Sequence, residues 1–449
     1  MTPGLIVAAP CSGAGKTIVT LGLLRALARA GTRVAPFKVG PDYIDPAFLA
    51  AAAGRDCVNL DSWAMRATTL EFLLADLARD SDLIIGEGVM GLFDGGPGGA
   101  GGTADLAHRI GLPVVLVVDA SGMGGSIAAL VEGFARHAAG VAVAGVIANR
   151  TGGEGHRAIL AGALAASGVP LLGALPRDAA LALPSRHLGL VQARETGGLE
   201  GIVERAADAI AAHVDIAALR ALATPPNSRV TSWDEGGKAG VGDGQRRGNG
   251  LAPPPLGQRI AVARDVAFAF AYPATLAAWR GAGADLSFFS PLADEAPGRD
   301  TDAVYLPGGY PELHAGRLAA NRGFLEGLRA AAGWGAAVFG ECGGYMVLGR
   351  ALIDAKGVSH AMAGLLPHVA SFSEPRLHLG YRAMRVAADG PLGPAGTTYR
   401  GHEFHYASVA GAEGVPLFHA WEASGRDLGP MGSVSGRVAG SFLHLIDGA

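Results

Sequence analysis

The chain has 449 residues, 49% hydrophobic and 17% charged, which is enough for two large domains with sizeable cores and too apolar for a disordered chain. Its 36 basic and 40 acidic side chains leave a net charge of −4, too balanced for a dedicated nucleic-acid binder. Three scattered cysteines, Cys11, Cys57 and Cys342, form no CxxC pair, which argues against a disulfide framework or zinc knuckle and for a reducing cytoplasm.

The first eleven residues superficially resemble a lipoprotein signal, but there is no basic segment and Pro10 precedes the cysteine, so export is not expected. No apolar run reaches the roughly 18 residues of a membrane span, since Leu112–Val118 ends at Asp119. From residue 4 to about 222, short apolar strands alternate with helices. The predicted strands are Gly4–Ala9, Thr32–Val39, Asp82–Gly86, Pro113–Asp119, Val141–Asn149 and Val169–Leu175, with helices such as Lys16–Ala30, Gly124–His137 and Gly155–Ala166. Near-continuous Val/Ile/Leu strands joined by helices predict an α/β fold, a mostly parallel doubly wound sheet covered on both faces. The Gly/Pro-rich polar stretch 223–257 reads as a solvated linker between a domain at 1–222 and a second at 258–449. The second domain has predicted strands near Arg259–Ala263, Asp285–Phe289, Ala303–Leu306 and Ala336–Phe339, then shorter strand-like pieces from about Leu377 to Leu445.

The first strand leads into Ser12-Gly13-Ala14-Gly15-Lys16-Thr17 and a helix, the close of a phosphate-binding P-loop whose opening glycine is replaced by Pro10. Backbone N–H groups there cradle phosphates, Lys16 neutralises them and the Thr17 hydroxyl holds Mg²⁺. Partition-type ATPases carry a second lysine at the place of Cys11, and GTPases read guanine with NKxD where this chain has Ala148-Asn149-Arg150-Thr151, so ATP is the expected nucleotide. Asn149 is either an adenine contact or a plain strand-end asparagine. Only four lysines occur, Lys16, Lys38, Lys238 and Lys356. Lys38 emerges at the carboxyl edge of a parallel strand, where such sheets bind ligands. Asp42 and Asp45 follow in a turn, either as Mg²⁺ or substrate residues or as a helix cap. Glu87, flanked by glycines at another strand end, suits a Mg²⁺ ligand, and Asp94 lies in the loop after it.

In the second domain Gly340-Glu341-Cys342-Gly343-Gly344 has the form of a nucleophile elbow, with Cys342 at a helix start where thiolate is favoured. His444, on a late strand-like piece, is the candidate base; Ile446 stands two residues on, so no third triad member is evident, and alternation turns Asp447 away. An oxyanion hole is expected from the N–H of Gly343 and one from the Leu306-Pro307-Gly308-Gly309 loop. His402, Glu403 and His405 in GHEFHY suggest zinc, but the pattern is not HExxH and the two histidines would face opposite sides of a strand, which favours substrate contact or packing.

Together, APCSGAGKT, PFKVGPDYIDP and GEGVMGLFDG resemble the dethiobiotin-synthetase-like P-loop domain of the cobyrinate/hydrogenobyrinate a,c-diamide synthases, and YLPGGYPE, FGECGGYM, RGHEFHY and GSFLHL resemble their class I-type glutamine amidotransferase domain. The resemblance spans essentially the whole chain, and Ile446 matches a family that lacks the usual acid after the histidine. It implies amidation of the a and c acetates of a corrin-type tetrapyrrole carboxylic acid, using ATP, L-glutamine and Mg²⁺, with no nucleic acid or membrane as partner and a homodimer left open. It implies that Lys16 and Thr17 serve the triphosphate and Mg²⁺ and that Glu87 serves the metal. Lys38 would serve the substrate carboxylate or its acyl phosphate, Asp42, Asp45 and Asp94 the substrate or metal side, and Cys342 and His444 the release of ammonia. An acyl phosphate is chemically required because a carboxylate does not react with ammonia at neutral pH, and a dry passage for ammonia between domains follows from the two-site layout. Cobyric acid synthase, a nickel-tetrapyrrole a,c-diamide synthase and, in another class, a partition-type ATPase switch are the alternatives. Metal-free and cobalt-bound substrates are nearly balanced, with a slight lean to the metal-free ring.

Overall fold

The computed structural model describes residues 1–183, 185–186, 189–190, 192–227, 229–230, 253–411 and 414–449. The chain divides into two compact units, Met1–Trp63 with Ala67–Trp233 and Ala64–Arg66 with Asp234–Ala449.

The first unit is built on a seven-stranded sheet of β1 (Gly4–Ala8), β2 (Val34–Val39), β3 (Val58–Leu60), β4 (Leu83–Glu87), β5 (Val114–Asp119), β6 (Val143–Thr151) and β7 (Leu171–Pro176), in the order β3-β2-β4-β1-β5-β6-β7. Every pairing is parallel, so all carboxyl ends share one edge. Alternation sends Leu5 and Val7 of β1 into one core with Val19, Leu23 and Leu27 of helix α1 (Lys16–Arg29), while Ile6 is buried on the other face. The three-residue β3 is absent from the strands predicted from sequence, and the others differ from their predicted bounds by a residue or two. Glu87 closes β4 rather than following it.

Part of the predicted linker is paired rather than solvated. Thr224 bridges to Gly4, the Asn227 N–H donates to the Ile110 carbonyl at 2.7 Å and that of Val230 to Glu71 Oε1 at 3.0 Å. At its other end the indole N–H of Trp279 donates to the Pro253 carbonyl at 2.8 Å and Leu256 is buried. The remainder, 231–252 with Lys238, lies outside the described residues.

The second unit holds β8 (Arg259–Ala263), β9 (Asp285–Phe289), β10 (Ala303–Leu306) and β11 (Ala337–Glu341), parallel in the order β9-β8-β10-β11. A separate antiparallel sheet contains β12 (His378–Val386) and β13 (Thr398–His405). The hairpin strand β14 (Ser433–Ser435) pairs with β15 (Val438–Ser441), which lies parallel to β11, and β16 (Leu443–Gly448) then pairs antiparallel with β13. The chain therefore changes sheets at Phe442. Period-2 alternation divides the parallel strands between two cores, with Val304, Leu306 and Val338 on one side and Tyr305, Ala337 and Phe339 on the other.

Candidate active site

The phosphate-loop side is set by β1, which ends in a bend and passes into α1 through Gly15 at φ 92. A Cβ on Gly15 would lie 2.1 Å from Asn149 Nδ2, so both backbone angle and space demand glycine. Asn149, at the end of β6, donates from Nδ2 to the Ala14 carbonyl at 2.9 Å and accepts at Oδ1 from the Arg150 N–H. Its amide thus braces the loop. Ser12 and Gly13 are exposed at the loop tip, beside exposed Cys11.

Lys16 donates to the Met90 carbonyl at 2.9 Å, and burial holds its ammonium below the ordinary lysine range. Thr17 Oγ1 donates to Glu87 Oε1 at 2.9 Å. Lys38 donates to Asp45 Oδ2 at 2.6 Å, Glu87 Oε1 at 2.9 Å and the Gly88 carbonyl at 3.2 Å, with Asp42 at 3.8 Å. Burial alone would lower its pKa, but the surrounding carboxylates of Asp45, Glu87 and Asp42 outweigh that and raise it well above the ordinary value. An ammonium has three protons to donate, and all three are taken. In this arrangement Lys38 organises the acidic residues.

Asp42 Oδ1 accepts from the N–H groups of Ile44 and Asp45, so it forms the turn that opens helix α2 (Asp45–Ala53), and burial with the Asp45 charge pushes its carboxyl up to about 6. Asp45 is held below the carboxylate range because Lys38 overcomes the effect of burial. Glu87 is fully buried and its pKa is raised chiefly by desolvation. Its Oε2 finds no hydrogen-bond partner among the described residues. Asp94 is exposed and accepts at Oδ2 from the Gly91 N–H, a loop contact.

The thiol side arises where β11 ends. Cys342 takes φ 48, ψ −106, a strained angle for a side-chain-bearing residue, and leads into the helix Gly343–Leu348. Its N–H donates to the Ser441 carbonyl at 2.8 Å, which fixes the end of β15, and β16 then brings in His444. A Cβ on Gly308 would fall 3.2 Å from both Cys342 Cβ and His444 Nε2 and 2.4 Å from His444 Cε1. Cys342 Cβ and the His444 imidazole thus both border Gly308, where only glycine leaves room, and the thiol itself donates to the Phe404 carbonyl at 3.7 Å. The N–H groups of Gly343 and Gly309 both point at the Cys342 sulfur, whereas the Gly308 carbonyl accepts from Phe270 at 2.9 Å. Two backbone donors, from Gly309 and Gly343, are thus aimed at the Cys342 sulfur.

Burial, reinforced by the Glu312 charge, pushes the Cys342 thiol up to about 12, and burial lowers His444 well below the ordinary histidine range. Both directions favour the uncharged thiol and the uncharged imidazole, and desolvation is the largest cause of each. Asp447 is turned away as expected, its carboxylate held by Arg66, whose NH2 group donates to Oδ1 at 2.6 Å.

Sequence reasoning missed the relation of one acid, Glu341, to His444. Glu341 Oε2 lies 3.8 Å from His444 Nδ1. His405 Nε2 is 2.8 Å from Glu403 Oε1 and stacks on Phe442, while Glu403 Oε2 pairs with Arg382 at 2.6 Å. With His378, these two bring their ligand-type atoms within 4.8 Å of one another, so the grouping in GHEFHY involves His378 rather than His402. Arg382 already neutralises Glu403, which disfavours a cation there. The signal for Glu341 was a carboxylate ending an otherwise apolar buried strand.

Residues 5–191 match the CobQ/CobB/MinD/ParA nucleotide binding domain, and 259–448 match the CobB/CobQ-like glutamine amidotransferase domain. The chain is 53% identical over 448 residues to the hydrogenobyrinate a,c-diamide synthase of Brucella abortus, covering 99% of this chain and 98% of that one. It is 52% identical over 450 residues to those of Rhizobium meliloti and Rhodobacter capsulatus, covering 99% of both partners in each case. The chain belongs to the hydrogenobyrinate a,c-diamide synthase family. Within that family's two domains the phosphate loop falls in the first match, and Cys342 and His444 fall in the second.

Proposed function

We propose that the chain catalyses ATP- and glutamine-dependent amidation of the a and c acetate side chains of hydrogenobyrinic acid, the metal-free ring. The observation that carries this reading is the pairing, in one chain, of a P-loop with a strained cysteine elbow that shares the space beside Gly308 with the His444 imidazole and receives two backbone donors. The full-length identity to synthases of that name supports the substrate.

In the first unit Lys16 and the N–H groups of residues 12–17 bind the triphosphate. Thr17 and the unpartnered, buried Oε2 of Glu87 fit a divalent cation, with Asp42 farther off beyond Lys38. Mg²⁺ bound there supplies charge neutralisation on the transferring phosphate. Lys38 holds Glu87 and Asp45 in register. The phosphoryl group passes to the acetate, giving an acyl phosphate whose leaving group ammonia displaces.

In the second unit Cys342 attacks the glutamine amide carbon while His444 takes the thiol proton. The N–H groups of Gly309 and Gly343 receive the oxyanion. The C–N bond breaks, the proton leaves with ammonia, and water cleaves the thioester to glutamate. No helix among the described residues is long and apolar enough to cross a membrane, and the ATP and glutamine requirement supports a cytoplasmic place.

The test is incubation with ATP, Mg²⁺, glutamine and, separately, hydrogenobyrinic and cobyrinic acids, with amides counted by mass spectrometry. Two amides on the metal-free ring are expected. Four amides, or gain only on the cobalt ring, would contradict the reading.

A further inference from the structure

If His444 is the base that the proposed reaction requires, some group must hold its ring and balance the charge it gains with the thiol proton. No acid near it in sequence does so, since Ile446 is buried and apolar and Asp447 is committed to Arg66. A different carboxylate reaches it from across the sheet. Glu341 immediately precedes Cys342 on β11, and its Oε1 accepts from the Leu445 N–H at 3.0 Å, the residue after His444. Its Oε2 accepts from the Tyr305 hydroxyl at 2.7 Å and lies 3.8 Å from His444 Nδ1. One carboxylate thus joins the strand of the nucleophile to the strand of the base, with a donor fixed on each oxygen. With Trp279, Phe339 and Leu392 it lines a mostly apolar cavity, a surrounding where its charge acts strongly.

We propose that Glu341 is the positioning residue of the thiol centre, holding His444 from the Nδ1 side so that Nε2 serves the thiol. The order Glu-Cys…His replaces the usual arrangement in which the acid follows the histidine. Burial pushes the Glu341 carboxyl up to about 7, so a positive imidazolium beside it would draw the proton away and leave the carboxylate as counter-charge. The other titratable groups acting on His444, His402 and His405, come from β13 and disfavour that positive charge, which increases the need for an acid.

The proposal rests on the cysteine–histidine reading above, and the experiment separates the two. E341Q keeps an acceptor for Leu445 N–H and a partner for Tyr305 but cannot carry the charge. It is expected to lower the glutamine-dependent kcat on the order of 100-fold, with the KM for glutamine within about twofold of the parent and ammonia-dependent synthesis unchanged. Y305F, which frees one side of the carboxylate, should give a smaller loss of the same kind. In ¹⁵N-histidine spectra the ring signals of His444, assigned by their loss in H444A, should shift in E341Q. Parental kcat with glutamine in E341Q, or an equal loss with ammonia in both variants, would overturn the role of Glu341. Glutamine use surviving in C342A would instead overturn the underlying reading.

Discussion

At Cys342 two local influences compete. The strained turn and the backbone donors of Gly309 and Gly343 favour a thiolate, while complete burial disfavours it, and burial wins. Because the pKa is raised, the thiol stays protonated until pH approaches that value, so the reactive fraction rises about tenfold per pH unit below it. Alkylation of Cys342 by iodoacetamide without glutamine should therefore be slow at pH 7 and keep climbing through pH 9. A flat rate from pH 5 to 8 would indicate a preformed thiolate–imidazolium pair. Lys38 shows the same kind of contest with the opposite outcome, since neighbouring carboxylates overcome its desolvation. The identity of these residues was legible in the sequence, but the direction of their shifts was not. That depends on neighbours distant along the chain, such as Glu87 for Lys38 and Glu312 for Cys342.

At the scale of elements, the parallel strands of the first unit were legible because the central ones, β1, β4 and β5, are short runs buried on both faces and rich in Val, Ile and Leu. Val58–Leu60 escaped notice because three residues carry no period. The antiparallel sheet of the second unit was legible only as fragments, because its pairing of His402 with His444 joins residues far apart in sequence. The same long-range registry hid Glu341. Among loops, the P-loop is the clearest case of local rule and distant support together. Gly15 is required by φ 92, and Asn149 from β6 closes the space above it. Replacing Gly15 with alanine forces a strained angle and pushes against Asn149 Nδ2. G15A should fold, because the strain is confined to an exposed loop, yet bind ATP at least about tenfold more weakly by calorimetric titration. Parental affinity in G15A would mean that the loop does not need its observed conformation to hold phosphate.

For the whole molecule, the physical claim is a division of labour, with one unit energising a carboxylate at the cost of ATP and the other liberating nitrogen from glutamine. Each unit has its own core, and each presents its site where strand ends meet loops. Such a division requires that damage to one site leave the other's chemistry intact when its product is supplied from outside. The most direct measurement is amide formation on hydrogenobyrinic acid by C342A and K16A, each given ATP and Mg²⁺ with either glutamine or ammonia. C342A should form no product with glutamine and near-parental product with ammonia, and K16A should form none with either donor. Loss of both activities in C342A, or full ammonia-driven synthesis in K16A, would contradict the account.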